Sequence, residues 1–156
     1  NLGTIMRTAD GVGADGVILL GDCTDPFSLE AVRASMGSLF HMPVARTELA
    51  AFQAGRSAFA GRLVGTHLEG SVDYRAPDYV DGPNMLVMGN EREGMPPALA
   101  QLCDVLIRMP MVGGADSLNL SVATGIALYE VRRPYLAADG AHAAMRALSY
   151  EKASKT

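Results

Sequence analysis

Three short segments carry residue types whose spacing could do chemistry. In Asn1-x-Gly3-x-x-x-Arg7-Thr8-Ala9, Gly3 and Arg7 fall one helical turn apart and share a face. A glycine there admits another backbone or a ligand. The arginine above it offers a planar fork of donors suited to a phosphate or a polarised ribose, although a merely solvated helix arginine explains the same residue. In Leu86-Val87-Met88-Gly89-Asn90-Glu91-Arg92-Glu93-Gly94-Met95, a strand ends in a Gly-x-x-x-x-Gly loop. No Lys-Ser or Lys-Thr follows Gly94, and Gly-x-Gly-x-x-Gly is absent, so neither a Walker loop nor a dinucleotide turn is present. The glycines let main-chain donors and acceptors approach an adenosine or a methionine moiety. A tight left-handed turn with solvated Glu91 and Glu93 is the plainer account.

The third segment runs from Ile107 to Ala123 through Pro110, Gly113 and Gly114 into Ser117-x-Asn119-x-Ser121 and an apolar helix. A helix start has backbone N–H groups without partners, and one of the three polar residues serves as the cap. Three in five residues exceed that need and favour a polar ligand at the helix start.

These segments need elements to position them, and the pattern predicts alternating helices and strands, an α/β domain. Asn1 caps a helix over about Leu2 to Asp10, and residues 16–20 form a buried parallel strand. Ser28 caps a helix through Ser35 whose apolar face is Leu29, Val32 and Met36. Residues 42–46 and 62–68 are further strands, with Thr47 capping the helix between them. Residues 69–83 make the longest loop. Met85 to Met88 and Val105 to Met109 are strands, separated by a short helix begun at Pro96-Pro97. A last strong helix from about Leu118 to Arg133 carries Val122, Ile126 and Tyr129 on one face and ends at Pro134. An Ala-rich tail after Leu136 forms one more helix.

Composition bounds the possibilities. A chain of 156 residues with 49% hydrophobic and 19% charged residues suits one domain, 1–156, with a real core. No apolar run reaches the ~20 residues of a membrane-spanning helix, and no signal-peptide layout opens the chain. The first residue is not Met, so the opening reads as a cut inside a longer protein. Cys23 and Cys103 stand apart, which excludes a disulfide framework or zinc finger and fits a reducing cytosol. His41, His67 and His142 are isolated and read as structural. The net charge of −4 does not advertise nucleic-acid binding, so any RNA affinity must come from a local patch, a partner subunit or a further segment.

Taken in order, the three segments resemble motifs one, two and three of the SpoU (TrmH-like) RNA ribose 2′-O-methyltransferases of the SPOUT superfamily. The likeness extends from Asn1 to about Arg133, and Ser35-Met36-Gly37-Ser38-Leu39-Phe40-His41-Met42-Pro43-Val44 is similar to the stretch between motifs one and two. The resemblance implies a mostly parallel sheet with helices on both faces, a C-terminal trefoil knot, and a homodimer with cofactor pockets near the subunit interface. It also implies that the strand which normally precedes motif one, and any N-terminal RNA-recruiting domain, lie outside this sequence.

Residue by residue, the resemblance implies that Gly89, Met109 and Leu118 contact S-adenosylmethionine through backbone groups, with Met111 nearby. Arg7 would sit beside the target ribose, steering its phosphate, with Asn1, Glu91, Ser117 and Asn119 completing the hydrogen-bond set. A guanidinium stays protonated at neutral pH (pKa above ~12), so an electrostatic and positioning role suits Arg7 better than that of a base. The implied substrate is tRNA or rRNA, and neither a metal nor a membrane is implied. A SPOUT-like module that holds RNA or cofactor without transferring methyl groups is the alternative.

Overall fold

The computed structural model describes residues 1–68, 72–90 and 93–136. The first half runs α1 (Leu2–Gly11), β1 (Val17–Leu20), α2 (Leu29–Ser35), a 3-10 turn (Ser38–Phe40), β2 (Val44–Thr47), α3 (Leu49–Gly55), a second 3-10 turn (Arg56–Ala58) and β3 (Arg62–Thr66). The second half runs β4 (Val72–Asp73), β5 (Asn84–Val87), α4 (Pro97–Ala100), β6 (Val105–Arg108), α5 (Leu120–Arg132) and a final 3-10 turn (Arg133–Tyr135). Strand pairing is parallel throughout these ladders. β1 pairs with β2, and a four-stranded sheet has the order β4-β6-β3-β5. The α/β architecture with parallel strands is therefore the one expected.

The four-stranded sheet is buried on both sides, which is why its strands read as near-continuous apolar runs. Side chains alternate across it. Leu63 and Val87 point to one face, where Leu49 and Phe52 of α3 and Leu99 of α4 pack with Met95. Val64 and Ile107 point to the other, where they meet Tyr79 and Val131 of α5. Asp104 fixes the start of β3, its Oδ2 accepting from the Leu63 N–H at 2.7 Å and from Arg56 at 2.7 Å.

Several local expectations change. β1 is not a buried strand: only Leu19 is buried, and Ile18 is 45% exposed. Ser28 does cap α2, accepting from the Ala31 N–H, but the covered face is Ala31 and Ser35, while Leu29 and Met36 point to solvent. Glu48 rather than Thr47 precedes α3. The stretch read as loop contains β4, and Tyr79 is buried there, its hydroxyl donating to the Tyr74 carbonyl at 2.6 Å. On α5, Thr124, Ala127 and Val131 are buried, and Val122, Ile126 and Tyr129 stay exposed. The expected helix after Leu136 falls on residues outside those described, as does the threading of the C-terminal segment.

Candidate active site

The carboxyl ends of parallel strands lie along one edge of a sheet, and in α/β domains ligands gather there. In the four-stranded sheet β3 lies between β5 and β6. The edge therefore brings together Met88 and Gly89 after β5, His67 after β3, and Met109 after β6. Gly89 is required by its own loop: a Cβ there would lie 2.5 Å from the Gly94 carbonyl carbon and 2.6 Å from the Met95 nitrogen. The loop closes through Asn90 N–H to Gly94 carbonyl (2.9 Å) and Gly94 N–H to Asn90 carbonyl (3.1 Å), with Gly94 left-handed at φ 70°. The tight turn of the plainer reading is thus present. Glu91 lies outside the described residues. Thr66, which the sequence reading passed over, stands on the same edge with its hydroxyl 3.5 Å from the Val87 carbonyl. A small polar residue closing an apolar strand was its only signal.

Motif three follows β6 into a loop where Met111, Ser117 and Leu118 are all exposed. Asn119 then organises the start of α5. Its Oδ1 accepts from the Ser121 N–H (2.9 Å), the Val122 N–H (3.3 Å) and the Ser121 hydroxyl (2.7 Å). Backbone N–H groups can only donate, so this pattern fixes the amide orientation and turns Nδ2 the other way. That nitrogen donates to Asn1 Oδ1 at 2.9 Å. Asn1 makes no side-chain cap to α1, contrary to the local expectation. Its side chain instead joins motif one to motif three.

Helix α1 buries Gly3, Met6 and Ala9 and leaves Arg7 exposed. The close approach permitted by Gly3 is taken by α2: a Cβ would stand 2.7 Å from Ala34 Cβ and 2.9 Å from the Ser35 nitrogen. A second bond ties α1 to α5, Arg132 Nε donating to the Val12 carbonyl at 3.1 Å. Arg132 thus serves the α1–α5 junction, beyond the helix-dipole role its position suggests. The structure so brings together Asn1 with Asn119, and Gly89 with Met109 along one strand edge, with Arg7 one turn along α1 from Gly3.

Shifted titrations have local causes. Burial pushes the Cys103 thiol up to about 11, with Asp104 adding to it. Burial also raises Tyr79 to about 12, and the Arg75 hydrogen bonds hold Asp73 down to about 2. Among the described residues, no group of three His, Cys, Asp or Glu side chains could hold a metal ion, and no helix is long and apolar enough to cross a membrane.

Residues 1–129, which contain all three motifs, match the SpoU rRNA Methylase family. The chain belongs to the SpoU rRNA methylase family. It is 39% identical over 140 residues to a 23S rRNA (uridine(2479)-2'-O)-methyltransferase of Streptomyces viridochromogenes, covering 85% of this chain and 48% of the relative. To the 23S rRNA (guanosine(2553)-2'-O)-methyltransferase RlmP of Bacillus subtilis it is 36% identical over 132 residues, covering 85% and 53%. The crystal structure of an AdoMet-bound rRNA methyltransferase from Sinorhizobium meliloti matches with a TM-score of 0.85 at 54% identity, covering 87% of this chain and 52% of that one. This SpoU chain spans about half the length of the curated relatives it matches.

Proposed function

We propose that this SpoU chain is the catalytic part of an RNA methyltransferase that moves a methyl group from S-adenosylmethionine to a ribose 2′-OH of tRNA or rRNA. The observation that carries the reading is the Asn119–Asn1 hydrogen bond. It links the helix bearing Arg7 to the loop that follows β6, across 118 positions of the sequence. The residues present fit the cofactor. Gly89, Met109 and Leu118 offer main-chain donors and acceptors among apolar side chains, with Met111 nearby, and the uncharged adenosine of the cofactor needs that mixture. When bound, the cofactor supplies an activated methyl on a sulfonium.

The protein's own residues position the acceptor. Arg7, exposed on α1, meets the phosphate beside the target ribose and stabilises charge developing on its oxygen. Asn1, Ser117 and Asn119, with Glu91, complete the polar set around the ribose. Holding the oxygen in line with the methyl group supplies much of the barrier reduction. The trefoil knot of the C-terminal segment and the homodimer belong to the same reading. The dimer is supported by the exposed α5 face of Val122, Ile126 and Tyr129, beside an open cavity of about 380 Å³ lined by Tyr74, Ile126, Tyr129, Glu130, Arg133 and Leu136.

Calorimetric titration with S-adenosylmethionine and S-adenosylhomocysteine tests the cofactor assignment, with about one site per subunit expected. In a tritiated-methyl assay on bulk tRNA and rRNA, Arg7→Ala should lower transfer by a factor on the order of 100 to 1,000, with cofactor affinity changed only a few-fold. No cofactor binding by the folded chain, or undiminished transfer by the variant, would overturn the reading.

A further inference from the structure

Helix α2 does not continue as its apolar periodicity suggests. The backbone turns left-handed at Met36 (φ 50°) and again at Gly37 (φ 93°), then enters the 3-10 turn Ser38–Phe40. This break leaves Met36 72% exposed and Phe40 73% exposed, while Ser35, Ser38 and Leu39 around them are buried. A residue other than glycine is uncommon at positive φ, and here that conformation holds a flexible thioether in solvent four residues before an exposed ring.

The position of the two side chains matters more than their exposure. Gly3 admits the end of α2 against the first turn of α1, and α1 packs on the Ser38–Phe40 turn as well. Met36 and Phe40 therefore adjoin the helix that carries Asn1 and Arg7. The two segments also share an unusual charge pattern. Residues 1–9 and 31–47 contain Arg7, Arg33, His41 and Arg46 but no Asp or Glu, in a chain whose net charge is −4. The carboxylates of the two helices, Asp10 and Glu30, lie at the opposite ends of α1 and α2 from Asn1 and Met36, so a phosphodiester strand crossing between Asn1–Arg7 and Arg33–Phe40 meets cations first.

We propose that Met36 and Phe40 form a platform on which an unpaired base of the RNA stacks, next to the ribose handled by Arg7. Aromatic rings accept any base face, because every base presents a π surface. Splayed single-stranded bases are what proteins read in RNA, and an unbranched methionine can follow the outline of whichever base arrives. The proposal rests on RNA being the substrate and adds to it the point at which the strand is gripped.

The test uses a short single-stranded oligoribonucleotide carrying 2-aminopurine, whose fluorescence is quenched on stacking. The unaltered chain should quench it. Phe40→Ala should abolish the quench and weaken binding by roughly tenfold, the loss typical of one stacked base, and Phe40→Trp should restore both. Quenching and binding by Phe40→Ala equal to those of the unaltered chain would overturn the platform, as would no quench with the unaltered chain. So would a change in sedimentation on Phe40→Ala with RNA binding intact, which would make the patch a contact between copies. Titration of the same samples with S-adenosylhomocysteine separates the two readings. Cofactor binding without a quench sinks the platform alone, and a quench without cofactor binding sinks the methyltransferase.

Discussion

The two parallel sheets of this SpoU chain support its functional segments by different means. In the four-stranded sheet, Leu63 and Val64 of β3 are fully buried and apolar side chains cover both faces. The loops after β5 and β6 leave from that dense base. In the two-stranded sheet, only Leu19 is buried, and β2 has no buried residue. Helix α1, which carries Arg7, gains little from such a thin sheet. Its placement comes from packing on α2 and from two bonds to α5, Asn119 to Asn1 at one end and Arg132 to the Val12 carbonyl at the other. The proposed cofactor edge is thus held by its own core, whereas the helix proposed to face the RNA is held by α2 and α5. Positioning between the halves passes through α5, alongside Leu20 of β1 and Leu49 and Phe52 of α3, which pack on the core of the four-stranded sheet.

The largest effect that could break this contrast is on stability. Leu63→Ala removes a fully buried side chain from the four-stranded sheet and should cost about 2–5 kcal/mol in urea unfolding. Leu19→Ala, from a strand whose neighbours are half open, should cost clearly less, since the site can collapse and solvent already reaches it. Equal losses would mean that the thin sheet is as well supported as the thick one.

A smaller effect sharpens the role of the junction. Asn119 has two jobs that one substitution separates. Asn119→Ala removes both the cap and the donor to Asn1, and should cost about 1 kcal/mol of stability. Asn119→Asp retains a carboxyl oxygen for the Ser121 and Val122 N–H groups but cannot donate to Asn1 Oδ1. Its stability should stay near that of the unaltered chain, while methyl transfer falls roughly tenfold, the worth of one hydrogen bond in an equilibrium or barrier. Full transfer by Asn119→Asp would show that the link between motifs one and three does not position the reaction.

The same contrast explains what was legible in the sequence. β5, β6 and α5 were readable because each is an apolar run or stripe bracketed by Gly, Pro or a polar cap, and such punctuation acts locally. Ser28 as a cap was readable for the same reason. The partner of Asn1 was not, since local spacing offers its oxygen the N–H groups of α1 and says nothing of Asn119. Leu29, Val32 and Met36 mark an apolar stripe, but periodicity cannot tell whether another element covers it, and α1 packs against Ala31, Ala34 and Ser35 instead. Gly3 signalled a close approach, and only the fold identifies α2 as what approaches. Arg7, Gly89 and Met109 stand out in the sequence through their motif context, and their roles belong to the proposal, while Thr66 has no such context.

The smallest effect concerns pH and again distinguishes the two sheets. Cys103 packs beside Leu63, Val87 and Met95, and Tyr79 beside Val64 and Ile107, so both belong to the four-stranded sheet. Burial raises the thiol from 9.0 to about 11 and the phenol from 10.0 to about 12. Below about pH 8 both groups are protonated whether the chain is folded or not, and neither makes stability depend on pH. Above it the unfolded chain gives up these protons first, so stability falls as pH rises through 9 to 12. Cys103 is half-buried, and Tyr79 is buried with its hydroxyl donating to the Tyr74 carbonyl; the expected loss is about 1 kcal/mol each. Urea midpoints should be flat from pH 7 to about 8 and then decline. Cys103→Ala should remove the earlier part of the decline, and Tyr79→Phe the later part. A decline unchanged by both substitutions would place the alkaline weak point outside the core of the thick sheet.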